Sequence, residues 1–501
     1  MKRDDGGRTM IRVLGGPKRL CDGLTRRDLL QVGGASFLGA SLAGAPRPAA
    51  ASTALPGFGK AKSCIVLFLY GSHSQIETFD PKPDAPSRIR GEFGSIPSNV
   101  PGLDLCEGLP NLATVMDKVS VVRSVSHPFP VHGVAYATTG NPSIPLAMEL
   151  SPRDPAHWPY IGSVVDFLDG QAARATGDRP AVPRNLQLPF AFSSQRIGEV
   201  ARAGPYGGFL GQSYDPICTE FVGQGTRKAK KTLTSLSWDD YEPYRGVTPE
   251  SRFRLGGLGG GDIVVDQLDR RRTLLQQLED LRRGAPAGIE VDRHREMAHR
   301  LLQSPSFRRA FDLDDESWDT RNLYGMNLFG QATLTARRLV EAGGRFVSVF
   351  WDEYGLAGTG WDTHWDHFPR MKDELLPGLD RTLSGLLMDL DRRGLLDETL
   401  VVLLSEHGRT PQIGNVQGGG RDHWSRCYSI VMAGAGVARG NVVGKSDKIG
   451  GDVVDRRVSP KDVLATMYHL LGIDPATMLQ DRLGRPMSLV PDAEVIPEVL
   501  A

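Results

Sequence analysis

Between residues 346 and 404 the chain reads strand, helix, strand, and this unit limits the possible architecture more than any other feature. Residues 346–351 (FVSVFW) are a continuous apolar run, as are residues 399–404 (TLVVLL). Between them Leu375, Leu376, Leu379, Leu383, Leu386, Leu387 and Leu390 fall on one stripe of a helix, which Arg392-Arg393-Gly394 closes. Strands that are apolar throughout are buried on both faces, and a right-handed helical crossover makes two such strands parallel. The loops leaving their carboxyl ends then share one edge of the sheet, where open α/β sheets place their sites.

Both of those loops carry metal-ligating side chains. Trp361-Asp362-Thr363-His364-Trp365-Asp366-His367 follows the first strand, and Ser405-Glu406-His407-Gly408-Arg409 follows the second. A third loop, Gly418-Gly419-Gly420-Arg421-Asp422-His423-Trp424, precedes an apolar strand at 427–432, and its glycines let backbone approach the same edge. Asp362, His364, Glu406, His407 and His423 are therefore expected to converge. Three imidazoles and two carboxylates suit a divalent metal, zinc before manganese or calcium. His367 and Asp366 stand as alternatives to His364; taken alone, His364 and Asp362 read as ordinary hydrogen-bonded structural residues, and only the joint placement of the three clusters points to a site.

Upstream, residues 64–70 (CIVLFLY) read as a first core strand running into Gly71-Ser72-His73-Ser74, and residues 119–122 (VSVV) as a second, followed by Arg123 to His127. His132 to Thr139 fits a short helix stopped by Gly140. Residues 140–261 are rich in Pro, Gly and aromatics with little periodicity, so long surface loops with short elements packed over the sheet are expected there. Leucines at 268, 274, 275, 278 and 281 predict a helix over 262–284, a second is predicted over 291–303, and a third over 328–342 stops at Gly343-Gly344. The fold class expected is α/β: a mostly parallel central sheet flanked by helices, with a loop-rich and helical insertion at about 140–345.

Residues 1–53 read as a twin-arginine signal peptide, and 54–501 as the mature domain. Thr25-Arg26-Arg27-Asp28-Leu29-Leu30 precedes a weakly apolar Gly- and Ala-rich stretch over 29–45 and the small-residue run 49–54, near which cleavage is expected. An amphipathic helix is the competing reading, and Gly33, Gly34, Gly39 and Gly44 would each weaken it by about 1 kcal/mol. The stretch is too short and glycine-rich for a stable membrane span, which needs ~20 apolar residues. The expected partner is thus the twin-arginine export machinery, and the expected location periplasmic or secreted. Lys plus Arg and Asp plus Glu both number 59; the first 53 residues hold nine basic and four acidic side chains, leaving 50 against 55. A mildly acidic mature chain with no basic stripe gives no electrostatic reason to expect nucleic acid as a partner. Cys64, Cys106, Cys218 and Cys427 match no zinc or redox spacing and read as small buried hydrophobes.

Several segments together resemble a known family. Residues 81–86 (PKPDAP) with 90–93 (RGEF), 336–343 (ARRLVEAG), 361–364 (WDTH), 408–411 (GRTP) and 420–424 (GRDHW) are similar to the secreted family called domain of unknown function 1501 (DUF1501), over nearly all of the mature chain. That family is similar in fold to the alkaline phosphatase and sulfatase superfamily, whose members cleave phosphate or sulfate esters with metal-bound carboxylates and histidines. The resemblance implies that Glu406 and His407 fall on the superfamily's Asp-His metal pair, His423 on its later lone histidine ligand, and Asp362 with His364 on the other ligands, at a tighter spacing.

Two departures accompany it. The strand at 64–70 ends in Gly71-Ser72-His73 where the superfamily offers a metal-binding aspartate, with His73 or Ser74 as substitutes. Counting back from Thr139-Gly140 places the nucleophile near Pro130, which cannot attack. Ser126, Ser72 and Ser74 are the nearby hydroxyls, and hydroxide generated on a metal is the other route. The expected function is an exported metal-dependent hydrolase of sulfate or phosphate esters, small-molecule or glycan. Arg409 or Arg421 would stabilise charge on the ester oxygens, and His127 and His132 are candidates for proton transfer. The rival expectation is a secreted non-catalytic protein on the same fold that binds a glycan or cell-envelope partner.

Overall fold

Ser63–Leu69 (β1) is buried along its whole length and is the middle strand of the fold. In the computed structural model, which describes residues 55–129, 132–141, 148, 150–177, 182–196, 202–226, 228–233, 236–241, 246–255, 304–352 and 360–501, eight further strands extend one mixed sheet around it. They are Val119–Val125 (β2), Asn185–Leu188 (β3), Ile217–Val222 (β4), Arg252–Leu255 (β5), Phe346–Trp351 (β6), Thr399–Leu404 (β7), Tyr428–Ala433 (β8) and Asn441–Val443 (β9), in the order β9-β2-β8-β7-β1-β6-β3-β4-β5. β1 is parallel to both neighbours, Cys64 lying opposite Phe346 on one side and Leu400 on the other. The pairs β6–β3, β3–β4 and β9–β2 are also parallel, whereas β7–β8, β8–β2 and β4–β5 are antiparallel.

The two strands of the expected strand-helix-strand unit run in the same direction, but β1 lies between them. Their crossover helix therefore spans the central strand, and three consecutive strands in space, β7, β1 and β6, deliver their carboxyl ends to one edge.

Alternation along β1 separates two cores. Ile65, Leu67 and Leu69 face one core and Cys64, Val66 and Phe68 the other. The helices that matter most for the two cores are Val134–Thr139 (α1), Ile161–Thr176 (α2), Leu328–Glu341 (α3), Leu376–Arg392 (α4) and Pro460–Leu470 (α5). Leu328, Leu339, Leu379, Leu383 and Leu386 of α3 and α4 fill the first core; Val134, Ile161, Val164 and Leu464 of α1, α2 and α5 fill the second. Burying such side chains is worth roughly 1.5–3 kcal/mol each, which is why the leucine stripe of α4 was readable in the sequence. Cys64, Cys106 and Cys427 are buried, Cys218 is partly so, and all four are free thiols. Among the described residues no helix is long and apolar enough to cross a membrane.

Residues 140–261 depart from expectation. Where loops and short elements over the sheet were expected, the structure has the 16-residue α2 and three strands, β3, β4 and β5, that widen the sheet itself. β3 and β5 are four residues long and β4 is largely half-exposed, too little periodicity to stand out from the surrounding Pro and Gly. The helices predicted over 262–284 and 291–303, the signal segment 1–53 and Pro130 lie outside the described residues.

At the end of β1 the chain turns on Gly71, whose φ of 87° is in the left-handed region. A Cβ there would lie 2.2 Å from the Asp362 amide nitrogen and 2.7 Å from its Cβ. Gly71→Ala is expected to cost about 3 kcal/mol or more, combining strain with a backbone clash. Urea unfolding measures it; a loss below about 1 kcal/mol would mean that the Asp362 loop can retreat freely.

Candidate metal centre

Cross-ties between the strand ends position the centre. Gly71 N–H donates to Glu406 Oε1 at 2.8 Å, and Ser72 Oγ accepts from His407 N–H at 3.1 Å, so the turn after β1 grips the turn after β7. Trp361 N–H donates to Tyr70 O at 2.9 Å, which brings in the segment that follows β6. Gly408–Arg409 then pairs antiparallel with His423–Trp424, setting Arg409 opposite His423.

Asp362, His364 and His423 place three donor atoms in a near-equilateral triangle. His364 Nε2 is 3.1 Å from Asp362 Oδ1 and 3.1 Å from His423 Nε2, and His423 Nε2 is 3.3 Å from Asp362 Oδ1. A tetrahedral zinc ion held at roughly 2.0–2.1 Å sets neighbouring donors about 3.3 Å apart, so the triangle has the dimensions of one face of such a site. His132 and His407 lie behind it: with His423 they form a second trio whose ligand atoms are all within 4.8 Å of one another. His132 Nε2 is 3.3 Å from Asp362 Oδ2.

Three of the imidazoles are held by the opposite nitrogen. His132 Nδ1 is 2.9 Å from Glu406 Oε1, His364 Nδ1 is 2.7 Å from Asp422 Oδ1, and His407 Nδ1 is 2.8 Å from Gly408 O. These acceptors require Nδ1–H donors and turn each Nε2 inward, as metal-ligating histidines require. His407 Nε2 is buried with no protein hydrogen-bond partner, an orphan that a metal would satisfy. Exposure grades outward from His407 at 0 % to the His364 side chain at 30 %, so the centre is reached from the His364 side.

Electrostatics fit the same picture. Burial, reinforced by His423, Arg409 and His132, holds His407 well below the usual imidazole range; burial likewise lowers His423. Both imidazoles are thereby held in the neutral form, the form in which a histidine can bind a metal. Burial opposes ionisation of Asp362, but Arg409 and His132 outweigh it and keep the carboxyl well below its ordinary value. For His132 burial is again opposed, here by Asp362 and Glu406, and its pKa is pushed up to about 9.

The other residues singled out in the sequence divide between support and separation. Glu406, expected as a ligand, has no exposure; its Oε1 accepts from Gly71 and His132, and its Oε2 has no protein hydrogen-bond partner. His132, expected in proton transfer, sits inside the donor cluster. Both ring nitrogens of His127 are engaged by backbone, Nε2 with Glu406 O at 2.7 Å and Nδ1 with Phe129 N–H at 3.2 Å. Ser74 is buried beside Glu77. Arg409 donates to Asp362, Ser72 O and Arg421 O. Arg421 donates to Glu77, Ile89 O, Thr410 O and Pro411 O, away from the cluster. His367 faces Glu77 and Thr363, and Asp366 N–H donates to Gln417 O; neither joins the donors. Asp422 and Glu77 went unread in the sequence, though Asp422 stands next to His423.

The family model described as "Protein of unknown function (DUF1501)" matches residues 61–500. No curated protein matches the chain in sequence. Among solved structures, the chain is similar to the PsFucS1 sulfatase from Pseudoalteromonas sp. at 11% identity and TM-score 0.35, over 85% of this chain and 72% of that one. It is similar to a protein in the alkaline phosphatase superfamily from Vibrio parahaemolyticus at 12% identity and TM-score 0.35, over 85% and 74%. The phosphonate monoester hydrolase SpPMH from Silicibacter pomeroyi is similar at 10% identity and TM-score 0.32, over 87% and 76%. At such identities and scores the likeness carries no residue-level correspondence.

The raised pKa of His132 has a sign that can be measured. Its folded value of about 9 exceeds the ordinary 6.5, so the stabilisation is fully present below pH 6.5 and is lost as pH rises through 9. EDTA-treated protein is expected to lose about 3 kcal/mol of stability between about pH 6 and pH 10, and His132→Gln to lack that loss. Urea unfolding of both proteins across this range tests it; identical slopes would rule out a charged His132.

Proposed function

Given that the chain belongs to the DUF1501 family, we propose that it is an exported metal-dependent hydrolase of sulfate or phosphate esters. The observation that carries the metal part is the donor triangle of Asp362, His364 and His423, backed by His132 and His407 with Nε2 turned inward. An imidazole-rich set with one carboxylate favours zinc over manganese or calcium. A divalent ion held there supplies Lewis acidity toward an ester oxygen and lowers the pKa of water. The ester class follows from the family resemblance, and export from the twin-arginine segment in residues 1–53, whose partner is the translocation machinery.

The chain's own groups have distinct tasks in this reading. Arg409 keeps Asp362 ionised and aimed. Glu406 holds the Nδ1 proton of His132, and Asp422 that of His364, so both rings present the correct nitrogen. The walls formed by Tyr70, stacked 5.1 Å from His132, and by the Trp361 loop exclude water from the rear. A small-molecule or glycan ester enters from the partly exposed His364 side.

A secreted, non-catalytic protein that binds a glycan or cell-envelope partner is the second reading. One observation favours it: the guanidiniums of Arg409 and Arg421, the groups expected to meet an ester oxyanion, are committed to carboxylates and carbonyls.

Elemental analysis of the purified folded protein separates the two. The hydrolase reading expects about one or two zinc or manganese per chain, and loss of metal in both His407→Ala and His423→Ala. Turnover of aryl sulfate or aryl phosphate esters should fall at least about 100-fold in both variants. A wild-type protein that holds no metal after reconstitution would sink the hydrolase reading.

A further inference from the structure

The loops that supply Asp362, His364 and His423 contain almost no regular structure, yet their donor atoms stand within 3.3 Å of one another. Something must fix them, and one carboxylate lies behind both. Glu77, in the turn after β1, is 1 % exposed. Its Oε1 accepts from Arg421 Nη2, and its Oε2 is 3.3 Å from His367 Nε2.

Each partner leads to one of the ligand loops. Arg421 stands two residues before His423, and its backbone N–H donates to Thr363 O at 3.0 Å. His367 Nδ1 is 2.7 Å from Thr363 Oγ1. Thr363 stands between Asp362 and His364, so the two paths from Glu77 meet at the residue that separates two ligands. The loops touch backbone to backbone there: a Cβ on Gly420 would lie 1.9 Å from His364 O. Glu77, Arg421, His367 and Thr363 supply no donor to either ligand trio.

From this geometry we propose that Glu77 is a positioning residue for the metal centre, a buried hub that holds the 361–367 and 418–424 loops in the register that lets their ligands meet. Its purpose rests on the metal reading above; its geometry does not. The hub is electrostatically sound: burial opposes the charge on Glu77, but Arg421 and His367 outweigh it and lower its pKa to about 2. Arg421 needs Glu77 in return, because its other acceptors are neutral carbonyls and a guanidinium without a counter-charge is costly at this depth.

Two substitutions cut the hub without removing a ligand. Glu77→Gln keeps an acceptor for Arg421 but abolishes the charge that faces His367. Thr363→Val keeps the shape and removes only the hydroxyl on His367. Arg337→Met is the control: Arg337, on α3, is equally buried in an ion network with Glu316 and with Asp389 on α4, and none of the three supplies a donor to either ligand trio. Cobalt(II) titration of the full chain, followed by its visible absorption, should show binding weakened 10- to 100-fold in Glu77→Gln and Thr363→Val. Arg337→Met should lower the unfolding midpoint at unchanged cobalt affinity.

A metal-independent measurement keeps failure of the hub distinct from failure of the metal reading. In selectively labelled, metal-free protein, the imidazole resonances of His364 and His423 should shift in both hub variants while those of His469, far along the chain on α5, stay put. Wild-type affinity and unmoved resonances in the hub variants would overturn the proposal, as would equal weakening of cobalt binding by Arg337→Met. Moved resonances in a wild-type background that takes no metal would uphold the hub and reject the metal.

Discussion

Everything at the carboxyl edge of the sheet depends on keeping one carboxylate ionised in a place that disfavours it. Asp362 Oδ1 faces Arg409, His364 and His423, and Oδ2 faces His132. Burial alone would push this carboxyl toward its protonated form, and a protonated Asp362 would be a poor ligand. The four partners come from four separate stretches of chain: the loop before α1, the loop after β6, the turn after β7 and the ribbon before β8. The order of the sheet, with β1 parallel to β6 and β7, brings those stretches to one edge.

The strongest elements were legible because they are buried on both sides. The runs 64–70, 346–351 and 399–404 and the leucine stripe of α4 carry their periodicity in full, and the direction of β6 and β7 followed from handedness alone. That β1 lies between them is invisible locally, since pairing across the chain leaves no periodic trace. β3, β4 and β5 were illegible for a different reason: β3 and β5 have only four residues each, and β4 is too exposed to show a buried run. In the site, Asp362, His364, His407 and His423 were read as one group because strand-end placement plus side-chain chemistry suffices. Glu406 reads as a ligand in the sequence, while in the structure its Oε1 is engaged by Gly71 and His132 and its buried Oε2 has no protein partner: spacing alone cannot tell a carboxylate that holds a cation from one that holds a ring beside it. His132 is the converse, a cluster member whose sequence neighbourhood is an unremarkable helix start.

Two guanidinium–carboxylate pairs lie side by side, Arg409 with Asp362 at the donors and Arg421 with Glu77 behind them, joined where Arg409 Nη1 donates to Arg421 O. Buried pairs of this kind seldom add much net stability, since desolvation offsets the attraction. Their value here is geometric. Loops whose strand pairing is limited to a two-residue ribbon have few other ways to hold a side chain to a fraction of an ångström, and planar guanidinium forks provide fixed directions.

The parallel pairing of β1 with β6 and β7 also has a consequence in time. The middle strand must wait for partners synthesised near the other end of the domain, and such non-local contacts are made late, after the cost of closing long stretches of chain. The donors at 132, 362, 364, 407 and 423 cannot meet before that closure. Any cation that recognises their arrangement therefore binds the finished molecule and not its precursors, and by mass action deepens only the last basin of the folding landscape. Occupancy of the centre would act as a proof of completion, telling a fully assembled chain from one that is merely compact.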